Sequence, residues 1–239
     1  MSSSSTHGPT VQVDEEGTFA LQPGDLLLKQ SDGSLTNTVI KVGQTLTGAR
    51  HRDYVHAAIA VDARHVVEIG GEGIHRNDIL TTNAGYTYAV FRCRNQALAA
   101  GAAAAAELLL AGVGNDGAFD IKYAYQCALS SLGGGRALHD EDRINKVLDV
   151  LVGGGRELFF CSGLAVWCYV VAMEQTALEH DIKRERNGPE HDEALDHFWA
   201  LFDVRPEDYS PARLYERLLG DSDCFIDLGI LNRGRIANP

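Results

Sequence analysis

The chain is poor in the features that would commit it to a nucleic acid, a membrane or a metal. Of its 239 residues only 21 are Lys or Arg against 33 Asp or Glu, a formal net charge of −12. It therefore lacks the broad cationic surface that phosphate backbones and anionic lipids attract. The five cysteines, at positions 93, 127, 161, 168 and 224, are odd in number and irregularly spaced. They offer no disulfide framework and read as reduced thiols. No Cys-x-x-Cys or His-Glu-x-x-His occurs, and His139, His180, His191 and His197 lack zinc-like spacing, so no metal is expected. Neither Gly133-Gly134-Gly135 nor Gly153-Gly154-Gly155 leads into a phosphate loop or a dinucleotide fingerprint, so no cofactor is expected. Long apolar runs are missing too. The strongest, residues 159–173, is broken by Ser162 and Gly163 and is short for a membrane span, which leaves a buried helix and no transmembrane segment. The start, Met1-Ser2-Ser3-Ser4-Ser5-Thr6, has no cationic flank or apolar core and does not read as a Sec signal peptide. The expectation is a chain that is cytoplasmic when made, with export by another route left open.

What is present is a 45% hydrophobic content, enough for one substantial core. Residues 1–18 read as a disordered tail, and residues 19–239 as one domain with helical elaborations. Gln22-Pro23-Gly24-Asp25 is a turn signal before Leu26-Leu27-Leu28, which suits a buried strand. Residues 35–48 carry a helical stripe. Residues 55–61, 65–69 and 86–92 are β-prone runs with short polar connections and suggest an antiparallel meander. From residue 97 the character turns helical: residues 97–111, 119–132 and 140–152, then a helix beginning near Cys161. Residues 180–193 read as a solvated helix end or surface excursion. Ser210-Pro211 reads as a cap with proline at the first helical position, opening residues 211–219. Residues 224–231 return as a last strand.

A thiol nucleophile needs an imidazole beside it, something that orients the imidazole, and an environment that favours the thiolate. Cys161 follows a glycine-rich break and precedes Ser162-Gly163-Leu164-Ala165-Val166-Trp167, which places it at or next to a helix N-terminus, where unpaired amides and the dipole favour negative charge. His56 sits in an otherwise apolar strand, costly unless it has a partner. Glu68 lies on the next β-prone run, across Asp62-Ala63-Arg64, and can orient the ring if the two runs pair. His51, Asp53 and His65 compete with it for that role. Taken alone, each of these residues has a plainer reading: a core thiol, a satisfied core histidine and an edge-strand carboxylate. Tyr54 is a second-line candidate to donate its hydroxyl near the reacting carbonyl, and Ser162 a secondary substrate contact. The other cysteines read as packing residues.

The order of these residues resembles a known group. Pro23-Gly24-Asp25-Leu26-Leu27, Tyr54-Val55-His56-Ala57-Ala58-Ile59-Ala60-Val61, Val66-Val67-Glu68 and Phe160-Cys161-Ser162-Gly163-Leu164-Ala165 together resemble the permuted NlpC/P60 hydrolases, the YiiX-like branch of the papain-like superfamily. Asp120-Ile121-Lys122-Tyr123 and Ser210-Pro211-Ala212-Arg213-Leu214 extend the likeness over residues 21–219. Gly163 departs from it, standing where an acidic residue often follows the Cys-Ser pair. The resemblance implies an α+β papain-like fold in circularly permuted order, an antiparallel sheet or small barrel packed against helices. It also implies Cys161 as nucleophile, His56 as general base and acid, and Glu68 as the third polar residue. The expected function is a cysteine hydrolase that cleaves an amide in a small peptide or peptidoglycan-derived substrate. Alternatives are a lipid acyl hydrolase or acyltransferase, similar to lecithin retinol acyltransferase-like enzymes, and a catalytically silent binding module.

Overall fold

Strand β1 (Leu26–Gln30) begins where Gln22-Pro23-Gly24-Asp25 turns the chain. Gly24 has φ +88°, and a Cβ there would lie 2.5 Å from the Ala99 carbonyl oxygen, so only glycine lets this turn press against the helix that holds Ala99. Asp25 is fixed in the same place. Its carboxylate accepts from Arg92 Nε at 2.9 Å and Arg92 Nη2 at 2.6 Å, a buried bidentate pair. The structure is a computed structural model and describes residues 18–32, 51–70, 73–111, 161–187, 193–202 and 209–237. The expected helices at 35–48, 119–132 and 140–152, and the tail apart from Thr18, lie outside these residues.

The fold is α+β. The strands that follow β1 are β2 (Tyr54–Ala60), β3 (His65–Gly70), β4 (Gly73–Asp78), β5 (Thr87–Cys93), β6 (Phe225–Asn232) and β7 (Arg235–Ala237). They form one seven-stranded sheet in the order β4-β3-β2-β1-β5-β6-β7, antiparallel at every pairing. The expected meander holds for β2 and β3 only. β5 pairs with β1 and β6 instead, because the three leucines of β1 are buried on both faces and need a strand along each edge. β4 and β7 have no counterpart among the sequence-based expectations.

Four helices are described: α1 (Gln96–Ala111), α2 (Cys161–Asn187), α3 (Glu193–Leu201) and α4 (Pro211–Gly220). α2 extends through most of the polar stretch that read as a helix end, and α3 begins at its close. The alanine-rich α1 is a packing helix: Ala99, Ala102, Ala103, Ala105 and Ala106 are buried, and at Gly101 an added Cβ would meet the Ala172 Cβ of α2 at 3.0 Å. α1 and α2 cover the sheet face that presents Leu26, Leu28, Ala57, Ile59 and Val67. The opposite face carries Leu27, Ala58, Ala60, Val66, Tyr88 and Val90 under Phe19 and Leu21. Ser210 caps α4 by accepting from Arg213 N at 3.2 Å, with Pro211 at the first helical turn. Among the described residues no helix is long and apolar enough to cross a membrane.

Candidate active site

The sheet opens next to the start of α2. Strands β2 and β3 are registered only at Ile59↔Val67 and Ala60↔Val66. On its other edge, β2 pairs His56 with Lys29 and Tyr54 with Gln30, so Val55 is an extra residue, a bulge that re-aims the strand end. Cys161 is the first residue of α2 and sits at this opening. The Ala57 amide, with no β3 partner, donates to Cys161 Sγ at 3.1 Å.

His56 and Glu68 reach each other across the same gap. Strand alternation puts His56 on the face of Ala58, and Glu68 on the face of Val66. His56 Nε2 lies 2.7 Å from Glu68 Oε2. The other carboxylate oxygen, Oε1, accepts from Asn77 Nδ2 at 2.6 Å and from Asn83 Nδ2 at 2.8 Å. Cys161 is 8% exposed and Glu68 6%, while the His56 side chain keeps 23% of its surface, so the ring is the part of the group most open to solvent.

Burial alone would push the Glu68 carboxyl up, yet the hydrogen bond and charge of His56 and the two asparagine amides hold it down at about 2. Glu68 is therefore a carboxylate at neutral pH and can only accept, so the proton between them belongs to His56 Nε2. The ring's remaining nitrogen, Nδ1, is the one left for sulfur. Burial would also depress His56, but the charge and hydrogen bond of the Cys161 side chain, followed by those of Glu68, raise it to about 10. A ring that keeps its proton at neutral pH is the cation that a thiolate needs beside it. The buried Tyr88 hydroxyl has no hydrogen-bond partner among the described residues. Burial first, then the charges of Glu68 and Tyr86, push its ionisation far up, and Asn83 opposes them.

No family model, curated protein or solved structure matches this chain. The site therefore stands on its own geometry. Of the residues singled out from sequence, the structure joins His56 to Glu68 and puts Cys161 against the amide of Ala57, the residue after His56. Two others point elsewhere. The Ser162 side chain is fully buried and its hydroxyl donates to the Tyr209 carbonyl, so it anchors α2 to the segment before α4 and offers nothing to a substrate. Tyr54 is 6% exposed and stacks on Tyr215 at 3.8 Å between centroids, while its hydroxyl accepts from Gln30 Nε2 at 3.4 Å. It belongs to the packing of α4 on the sheet, because the Val55 bulge separates its direction from that of His56.

The rivals for the third role are placed apart from the ring. His51 and Asp53 are exposed ahead of β2, and His65 Nδ1 binds Asp62 Oδ2 at 2.9 Å. Cys93, Cys168 and Cys224 are buried thiols, and burial pushes Cys93 up to about 11, Cys224 to about 12 and Cys168 further still, which disfavours their thiolates. Cys127 lies outside the described residues. Sequence reasoning missed Asn77 and Asn83. Asn77 lies on the unexpected β4, and Asn83 in a polar turn where asparagine is the ordinary choice. Among the described residues no cluster of His, Cys, Asp or Glu can hold a metal ion. An acceptor-only carboxylate, an imidazole that it orients and a sulfur at a helix N-terminus can together ionise a thiol, attack a carbonyl carbon and return a proton to a leaving group.

Proposed function

We propose that this chain is a papain-like cysteine hydrolase of the permuted NlpC/P60 kind, which cleaves an amide bond in a peptide or peptidoglycan-derived substrate through an acyl-cysteine. The observation that carries the reading is the His56 Nε2–Glu68 Oε2 contact of 2.7 Å, formed beside a sulfur that already accepts a backbone amide at the head of α2. His56 first takes the proton of the Cys161 thiol. The Cys161 sulfur attacks the carbonyl carbon, and the oxyanion forms near the amides of the first turn of α2. His56 gives its proton to the departing amine as the C–N bond breaks. A water molecule then loses a proton to His56 and attacks the thioester, releasing the acid and restoring the pair.

The same chemistry would serve acyl transfer from a lipid, which also needs apolar surface to hold the acyl chain. Among the described residues the exposed large hydrophobic is Leu219, at 46%. It lies at the far end of α4, so the described surface favours the amide reading. The test is intact-mass trapping after mixing the full chain with peptide and phospholipid substrates, with Cys161→Ala as control. The expected result is a peptidyl adduct on Cys161 that the control lacks. A fatty-acyl adduct supports the lipid alternative, and no adduct from either class counts against catalysis.

A further inference from the structure

We infer that Asn77 and Asn83 are positioning residues that make position 68 work as a carboxylate and fail as an amide. The inference rests on reading Cys161 and His56 as the reactive pair. Both asparagine Nδ2 groups donate to one oxygen, Glu68 Oε1, and leave Oε2 as the acceptor for His56. Neither donor is free to drift. Asn83 is 3% exposed, its backbone N–H donates to the Asp78 backbone carbonyl at 3.0 Å, and its backbone carbonyl accepts from Tyr86 N at 2.9 Å. Asn77 is held in β4 opposite Val66.

A carboxylate satisfies all three donors, since both its oxygens accept. A glutamine in its place cannot. Two amides aimed at one end select its carbonyl oxygen there and turn its NH₂ towards His56. That ring nitrogen must then accept, which leaves a neutral ring with its one proton on Nδ1 and no nitrogen free to take the proton of the thiol. Glutamine, the closest isostere of glutamate, is thus a worse residue here than alanine, which leaves the ring free to choose. An aspartate at position 83, with the half-buried Asn77 turning its amide oxygen inward beside it, reverses the selection. It accepts the glutamine NH₂ and returns the glutamine oxygen to His56.

The experiment compares Cys161 alkylation by iodoacetamide, read by peptide mass on the full chain, in four proteins. The expected order is wild type, then Glu68→Ala, then Glu68→Gln, with Glu68→Gln/Asn83→Asp recovering by about tenfold or more over Glu68→Gln, a fraction of what a wrong histidine tautomer costs a serine triad. If Glu68→Gln reacts as fast as Glu68→Ala, or if Asn83→Asp fails to rescue it, the inference is overturned. A merely structural asparagine pair predicts that pattern.

A second arm does not depend on thiol reactivity. In a Cys161→Ala background, ¹⁵N shifts of the neutral His56 ring should report Nε2–H with Glu68, Nδ1–H with Glu68→Gln, and Nε2–H again with Asn83→Asp added. Nε2–H in all three overturns the inference, whereas loss of the reactive-pair reading would show only as wild-type alkylation that His56→Ala leaves unchanged. If Glu68→Gln does not fold, Asn77→Ala at its half-buried position still decides. It should move the Glu68 carboxyl titration, followed by ¹³C NMR, to higher pH, and an unmoved titration refutes the clamp.

Discussion

Acidifying the protein should remove a definite share of its stability through Glu68. Its carboxyl titrates at about 2 in the folded chain against an ordinary value of 4.5, and each unit of such a difference is worth about 1.4 kcal/mol, so the held carboxylate contributes about 3 kcal/mol. The sign follows from the depressed value: the contribution is present above 4.5 and is lost as pH falls towards about 2. By pH 3 about 2 kcal/mol of it should be gone. His56 stays protonated throughout this range, so the loss belongs to the carboxylate and its donors. The side chain is only 8% exposed, which leaves little solvent screening to discount. The assay is urea unfolding of the wild type and of Glu68→Ala at pH 6 and at pH 3. The variant is the less stable at pH 6, because it strands His56, Asn77 and Asn83, but it lacks the titrating group. The gap between the two proteins should therefore narrow by about 2 kcal/mol on acidification. A gap that stays constant to within about 0.5 kcal/mol, near the error of extrapolation, would show that Glu68 is not held as an anion.

Three further outcomes follow from the packing. Gly24→Ala should cost about 3 kcal/mol in urea unfolding, because it combines a left-handed backbone with a Cβ pressed into the Ala99 carbonyl. A loss under about 1 kcal/mol would mean the turn relaxes freely. Arg92→Met strands the buried Asp25 charge and should destabilise by about 3–5 kcal/mol at neutral pH. Ser162→Ala removes the bond to Tyr209 and should cost about 1–2 kcal/mol without selectively slowing Cys161 alkylation; a large loss of reactivity in a folded variant would restore its candidacy as a site residue.

How much of this could be read in the sequence depended on whether a signal was local. The turn at Pro23-Gly24-Asp25 and the cap at Ser210-Pro211 are local chemistry, and both stand as read. Cys161, His56 and Glu68 stood out because ionisable or nucleophilic side chains are costly in apolar strands and at helix starts unless they have partners. The place of β1 between β2 and β5 was illegible, because strand order is set by pairing between distant segments. β4 escaped because only Ile74 of its six residues is buried, too little alternation to read as a strand. Its loss hid Asn77, and with it the reason why Glu68 has a fixed orientation. Ser162 was misjudged because adjacency to Cys161 says nothing about direction: one step along a helix turns a side chain by about 100°, here into the core.

The most direct test of the reactive pair is the rate at which iodoacetamide alkylates each of the five cysteines near pH 6, resolved by peptide mass, in the wild type and in His56→Ala. The account predicts that Cys161 reacts fastest by a wide margin and that His56→Ala slows it by about tenfold or more while leaving the others alone. Cys161 reacting no faster than the buried thiols, at a rate indifferent to His56, would contradict it.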